Sequence, residues 1–153
     1  MIIVIKKIII RVKKSHTVKT LLIVNKEKKI KYLSHCHCGA MHDYRILKER
    51  FIPQTNWFEN HHIHVDLGFL GIAKDYLCKK LSIPHKKPPK KTLTDEQKLE
   101  NQLMAIERII VEHGIGGLKR FRVLSDKLRI YSLDLYDKII GVCAGTWNFY
   151  LAN

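Results

Sequence analysis

The sequence predicts an α/β layered domain in which strands come first and helices pack on them afterwards. Three observations carry this prediction. The first third of the chain is rich in Ile and Val, residues that favour a pleated, buried surface. A helical period begins near Thr94, behind a capping pattern. Between these regions lies a run, 84–92, with three prolines and four lysines, which makes neither a helix nor a central strand.

Residues 2–12 read as a strand, although Lys6 and Lys7 interrupt the apolar run. Thr17 to Asn25 reads as a second strand, 25–29 as a polar turn, and Ile30 to His37 as the strand that returns. Asp43 is placed to cap a helix running from Tyr44 to about Phe51, with Ile46 and Leu47 inward and Pro53 after its end. Ile63 to Asp66 forms a short strand, and Gly68 and Gly71 permit a tight turn beyond it. Thr94 with Gln97 opens a long helix whose buried stripe is expected at Leu99, Leu103, Ile106, Ile109 and Ile110. Gly114, Gly116 and Gly117 are expected to loosen its end. A last helix, Leu133 to Leu151, carries Ile139, Ile140, Val142, Trp147 and Phe149, with both aromatics expected in the core.

The 153 residues suffice for one domain, and 46% hydrophobic content excludes a disordered tail. Lys and Arg number 28 against 14 acids, a net charge of +14, which favours a polyanionic partner such as DNA. No export signal precedes the four cysteines, so reduced thiols in a cytoplasmic protein associated with the nucleoid are expected. The apolar start is too short for a membrane span.

Asp66 ends an apolar run, and Glu112 lies in a later helix. A carboxylate at a strand end and another on a helix can hold divalent metal between them, the equipment for cutting nucleic-acid backbone. The plainer readings stand beside this one. Asp66 caps the turn that follows, and Glu112 makes ordinary ion pairs on a helix where Arg108 shares its face. Lys86, Lys87, Lys90 and Lys91 in the loop, with Lys119, Arg120 and Arg122, form a basic surface for phosphates or a solvated charge run. His35-Cys36-His37-Cys38 resembles a zinc set, but strand alternation places its histidines and cysteines on opposite faces.

Several segments together resemble the DDE-type transposases of bacterial insertion sequences, in the group with a Harbinger-like DDE superfamily endonuclease domain. The marks are Lys13-Lys14-Ser15-His16-Thr17-Val18-Lys19-Thr20, Gly39-Ala40-Met41-His42-Asp43 and Asp66-Leu67-Gly68-Phe69. Lys87-Pro88, Leu93-Thr94, Val111-Glu112-His113-Gly114-Ile115-Gly116 and Leu118-Lys119-Arg120-Phe121 continue the series, and Ile139 to Gly145 with Asn148-Phe149 closes it.

The resemblance implies a ribonuclease-H-like fold and two divalent ions, Mg or Mn, on an Asp-Asp-Glu triad. Asp66 matches the second acid and Glu112 the third, while Asp43 is a secondary candidate in a motif that opens the first helix. The implied partners are insertion-sequence ends and target DNA, with a second copy or an intact transposase as protein partner. The family's first Asp lies on the first central strand, and no Asp or Glu occurs in residues 1–26 here. The resemblance therefore implies a single, incomplete catalytic domain over 1–153, N-terminally truncated, with 1–12 foreign to the family. Its ancestral DNA cleavage and strand transfer would be inactive or weak, and the alternative is a non-catalytic basic DNA-binding protein. Residues 9–14 also equal what the family's Tyr-Tyr-Ser-Gly-Lys-Lys codons give when read one base late, which implies an out-of-frame start.

Overall fold

The structure is a computed structural model that describes residues 2–11, 17–90, 92–126 and 132–153. Lys91 and the Lys13–His16 part of the first resemblance motif lie outside the described residues, as do the side chains of Ile110 and Val111.

Among the described residues six strands form one mixed sheet. β1 (Ile2–Arg11) and β2 (Thr17–Asn25) pair antiparallel, from Ile3 opposite Asn25 to Arg11 opposite Thr17. β3 (Ile30–Leu33) and β4 (His37–Cys38) both pair antiparallel with β2. β5 (His62–His64) runs parallel to β1, and β6 (Lys80–Ser82) parallel to β5. The order across the sheet is β3-β2-β1-β5-β6, so β1 is central.

Alternation along the strands divides the core in two. Ile3, Ile5, Leu21, Ile23 and Ile63 face α1 (Asp43–Arg50) and α2 (Ile72–Asp75), with Ile46, Leu47, Phe58 and Phe69. Val4, Val18, Leu22 and Val24 face the other way, towards α3 (Asp95–Lys119), α4 (Arg122–Ser125) and α5 (Leu133–Tyr150). Ile5, Leu22 and Ile63 are fully buried, each worth about 1.5–3 kcal/mol of hydrophobic stabilisation. No described helix is long and apolar enough to cross a membrane.

The α/β prediction holds, with local corrections. The strand expected over 30–37 breaks after Leu33. There the Ser34 hydroxyl accepts from the Leu21 amide at 2.9 Å, so a side chain replaces a rung of the ladder. Asp43 is the first residue of α1 rather than its cap. The cap is His42, whose Nδ1 accepts from the Tyr44 amide. Ile46 and Leu47 point inward as expected.

The capping box of Thr94 and Gln97 opens α3, yet Leu99, Leu103, Ile106 and Ile109 are exposed, not buried. The N-terminal half of α3 is held by polar bonds instead. Asn101 accepts from the His85 amide and donates to the His85 carbonyl, and Glu100 pairs with the His85 ring. Gly114, Gly116 and Gly117 do not loosen the helix, which continues to Lys119. A Cβ at Gly117 would lie 2.4 Å from the Trp147 ring, so this glycine is what lets α3 and α5 touch. Trp147 is in the core as expected, but Val142 and Phe149 are exposed.

Candidate active-site crevice

The two lysines in β1 point to opposite faces of the sheet, and each meets an acid. Lys6 shares its face with Val4, and its ammonium donates to Glu112 Oε1 at 3.0 Å across 106 residues of sequence. Lys7 shares its face with Ile5 and donates to Asp43 Oδ2. Lys19, from β2, donates to Asp43 Oδ1 at 2.9 Å and to the Met41 carbonyl at 2.6 Å.

Asp43 is thus a buried carboxylate, 6% exposed, between two ammonium groups. Burial raises its pKa, but the hydrogen bonds and charges of Lys19 and Lys7 outweigh burial and hold it below the ordinary value. Glu112 is half exposed and is shared between Lys6 and Arg108, whose Nε lies 3.2 Å away. The Lys6 hydrogen bond is the main cause of its lowered pKa.

Asp66 stands just past the end of β5. Its Oδ1 accepts from the Gly68 amide at 2.8 Å, capping the 3-10 turn Leu67–Phe69. A Cβ at Gly68 would lie 2.9 Å from Asp66 Oδ1 and 3.0 Å from Asp43 Oδ2, so both carboxylates border one small space that glycine leaves open. No described glycine has positive φ, so Gly68 is there for space, not for the turn expected of it. The parallel register sets Val4 beside His64. The Asp66 carboxylate borders the Asp43 space on the Ile5 and Lys7 side of the sheet, whereas Lys6 lies two residues beyond Val4 on the opposite face.

A cavity of about 290 Å³ opens on that face. Lys6, His64, Ser82, His85, Asn101 and Arg108 supply its polar lining, and Val65 and Leu67, either side of Asp66, lie on its wall. The His64 ring is buried, and its Nε2 sits 3.1 Å from Glu107 Oε2 but out of line for a hydrogen bond. Burial first, and then the neighbouring His62, lower its pKa, so the ring is neutral near pH 7. Lys6, Lys7, Lys19 and His64 do not stand out in the sequence. The available signal is a pair of adjacent lysines inside an apolar strand, which alternation must send to opposite faces.

The structure joins Asp43 to Asp66 through the space at Gly68, and holds Glu112 on the other face of the sheet through Lys6. No hydrogen bond or ion pair joins Glu112 to either aspartate among the described residues. Two divalent ions on a carboxylate triad do not fit this arrangement as it stands. Asp43 carries two ammonium groups, Glu112 faces Lys6 and Arg108, and Asp66 spends one oxygen on a backbone amide. Among the described residues no three His, Cys, Asp or Glu side chains gather as a metal site.

At His35–Cys38 the side chains serve a different end. His35 Nδ1 and the Cys36 amide both meet the Asp137 carboxylate, tying the sheet to α5. Burial, and then Asp137, push the Cys36 thiol up to about 12, so it is not a thiolate. Lys86, Lys87, Lys90, Lys119, Arg120 and Arg122 are all exposed, and Arg122 pairs with Asp126.

The family profile described as DDE superfamily endonuclease matches residues 10–148. The chain is 36% identical over 115 residues to "Probable transposase for insertion sequence element IS702" of Microchaete diplosiphon. That match covers 74% of this chain and 40% of the relative, so the chain spans less than half of that protein's length. No solved structure matches. The chain belongs to the DDE superfamily endonucleases, with the DDE-type transposases of insertion sequences.

Proposed function

We propose that this chain is a transposase-derived, DNA-binding domain in which divalent-metal-dependent strand cleavage and transfer is ancestral and now feeble or absent. The observation that carries this reading is Lys6. It lies on the central strand, and its ammonium holds Glu112. A fixed positive charge thus neutralises a candidate metal-binding acid that would otherwise favour a divalent cation.

The strand order β3-β2-β1-β5-β6, antiparallel on one side of β1 and parallel on the other, supports a ribonuclease-H-like arrangement. The family match starts at residue 10, so it leaves 1–9 of the segment 1–12 outside the family and includes 10–12. DNA is the partner that the charge of +14 and the exposed lysines favour. The exposed apolar stripe on α3 supports a helical protein partner, such as a second copy or an intact transposase.

Duplex binding measured against salt tests this reading. Affinity should fall steeply as salt rises. Replacing Lys86, Lys87 and Lys90 with Ala should flatten the log–log slope by roughly 0.9 for each phosphate that is no longer neutralised. A shallow slope that ignores these lysines would remove the DNA-binding claim.

A further inference from the structure

The contact between α3 and α5 leaves an opening beside it that neither the crevice nor the basic loop uses. Its floor is Gly117 and Trp147, and its walls are Phe121, Tyr150, Thr146 and the stem of Arg120. The cavity measures about 200 Å³. Its polar atoms are turned away. Thr146 Oγ1 donates to the Val142 carbonyl at 2.9 Å, and Trp147 Nε1 donates to the Lys28 carbonyl at 2.9 Å. The Tyr150 ring stacks on Trp147 with centroids 5.8 Å apart and planes at 26°, while Tyr150 itself is 66% exposed. The opening is thus a slot with flat aromatic walls.

The slot adjoins a second cavity of about 360 Å³ through Gly117, Arg120 and Trp147, which line both. Lys28, Glu112 and His113 are on its rim. Glu112 is already held by Lys6 and Arg108. The ammonium of Lys28 and the guanidinium of Arg120 have no ion-pair partner among the described residues. Lys28 is held in place by its backbone, at φ 64° in the turn between β2 and β3. An apolar, aromatic slot with the Arg120 cation in its wall and Lys28 on the adjoining cavity suits a flat ring joined to an anion.

We propose that this slot seats one unstacked base of single-stranded DNA, with its flanking phosphates on Arg120 and Lys28. A base inside a duplex has both faces covered, so only an unstacked base can offer a face to Tyr150 or Phe121. A peptide aromatic would fill the slot but leave both cations unused. This inference rests on the DNA-binding reading and adds a second strand state to it.

The test compares three labelled ligands on the full chain by fluorescence anisotropy. They are an oligothymidylate, an abasic strand of equal length and charge, and a hairpin duplex. The oligothymidylate should bind more tightly than the abasic strand. Tyr150→Ala should weaken oligothymidylate binding by about 5- to 150-fold, the span of one base–aromatic stack, and leave duplex binding unchanged. Tyr150→Phe should restore it. Because Tyr150 is largely exposed, its loss leaves the core intact, and circular dichroism would verify this. Equal binding of abasic and base-bearing strands, or an equal loss on single strand and duplex, overturns the slot while DNA binding survives. Failure of all three ligands to bind overturns the DNA-binding reading and the slot with it.

Discussion

Replacing Asp43 with Asn should cost about 3–5 kcal/mol of folding stability, the range for removing one partner of a buried ion pair. Asp43 and Lys19 are both buried, at 6% and 8% exposed. Without the carboxylate charge, Lys19 keeps only neutral acceptors, the Met41 carbonyl and the introduced amide oxygen, and its ammonium stays out of water. Urea unfolding of the two proteins reads the loss as a shift in midpoint at unchanged slope. The same pair fixes a pH dependence. The folded pKa of Asp43 is lowered from its ordinary 3.8, so the pair's contribution is fully present above that value. It is lost as the pH falls from 3.8 through the folded value. The wild-type midpoint should therefore drop across that acid window by more than the midpoint of Asp43→Asn. A variant as stable as the wild type would mean that Asp43 is not held as described.

The second large effect is expected at Lys6. Lys6→Asp removes the cation that faces Glu112 and puts a carboxylate in its place. Repulsion among these acids should lower the melting temperature in chelator. Mn²⁺ or Mg²⁺ should then raise it, through about 2.7 kcal/mol of added stability at a hundredfold excess over the dissociation constant. The wild-type melt should not respond, because Lys6 already supplies the charge. Lys6→Ala separates the two contributions, since it loses the ion pair and gains no ligand. A melt of Lys6→Asp that ignores both ions would mean that Lys6 does not face Glu112 as described.

What could be read in the sequence was local. β2 has the predicted bounds, because nine residues of β-forming and apolar character lead into a polar turn. The Thr94–Gln97 capping box is a matter of three residues and was legible for that reason. β6 was missed because three residues, Lys80–Ser82, carry no period of their own and pair only because β5 lies alongside. The apolar stripe of α3 misled for a different reason. Periodicity finds a greasy face but not what covers it. Here Asn101, on the opposite side, ties the helix to His85.

The candidate acids followed the same division. Asp66 and Glu112 stand out by position and by resemblance, but their partners do not. Lys6 meets Glu112 from 106 residues away and Lys7 meets Asp43 from 36, separations that no local pattern encodes. Asp43 was legible as a helix-start residue, and its burial between two lysines was not.

The most direct measurement is strand transfer by the purified chain, with insertion-sequence terminal-repeat DNA and either Mg²⁺ or Mn²⁺. With lysines holding Glu112 and Asp43, products should be absent or close to background. Efficient joining that Glu112→Ala abolishes would contradict this account, because those acids would then be serving a metal ion after all.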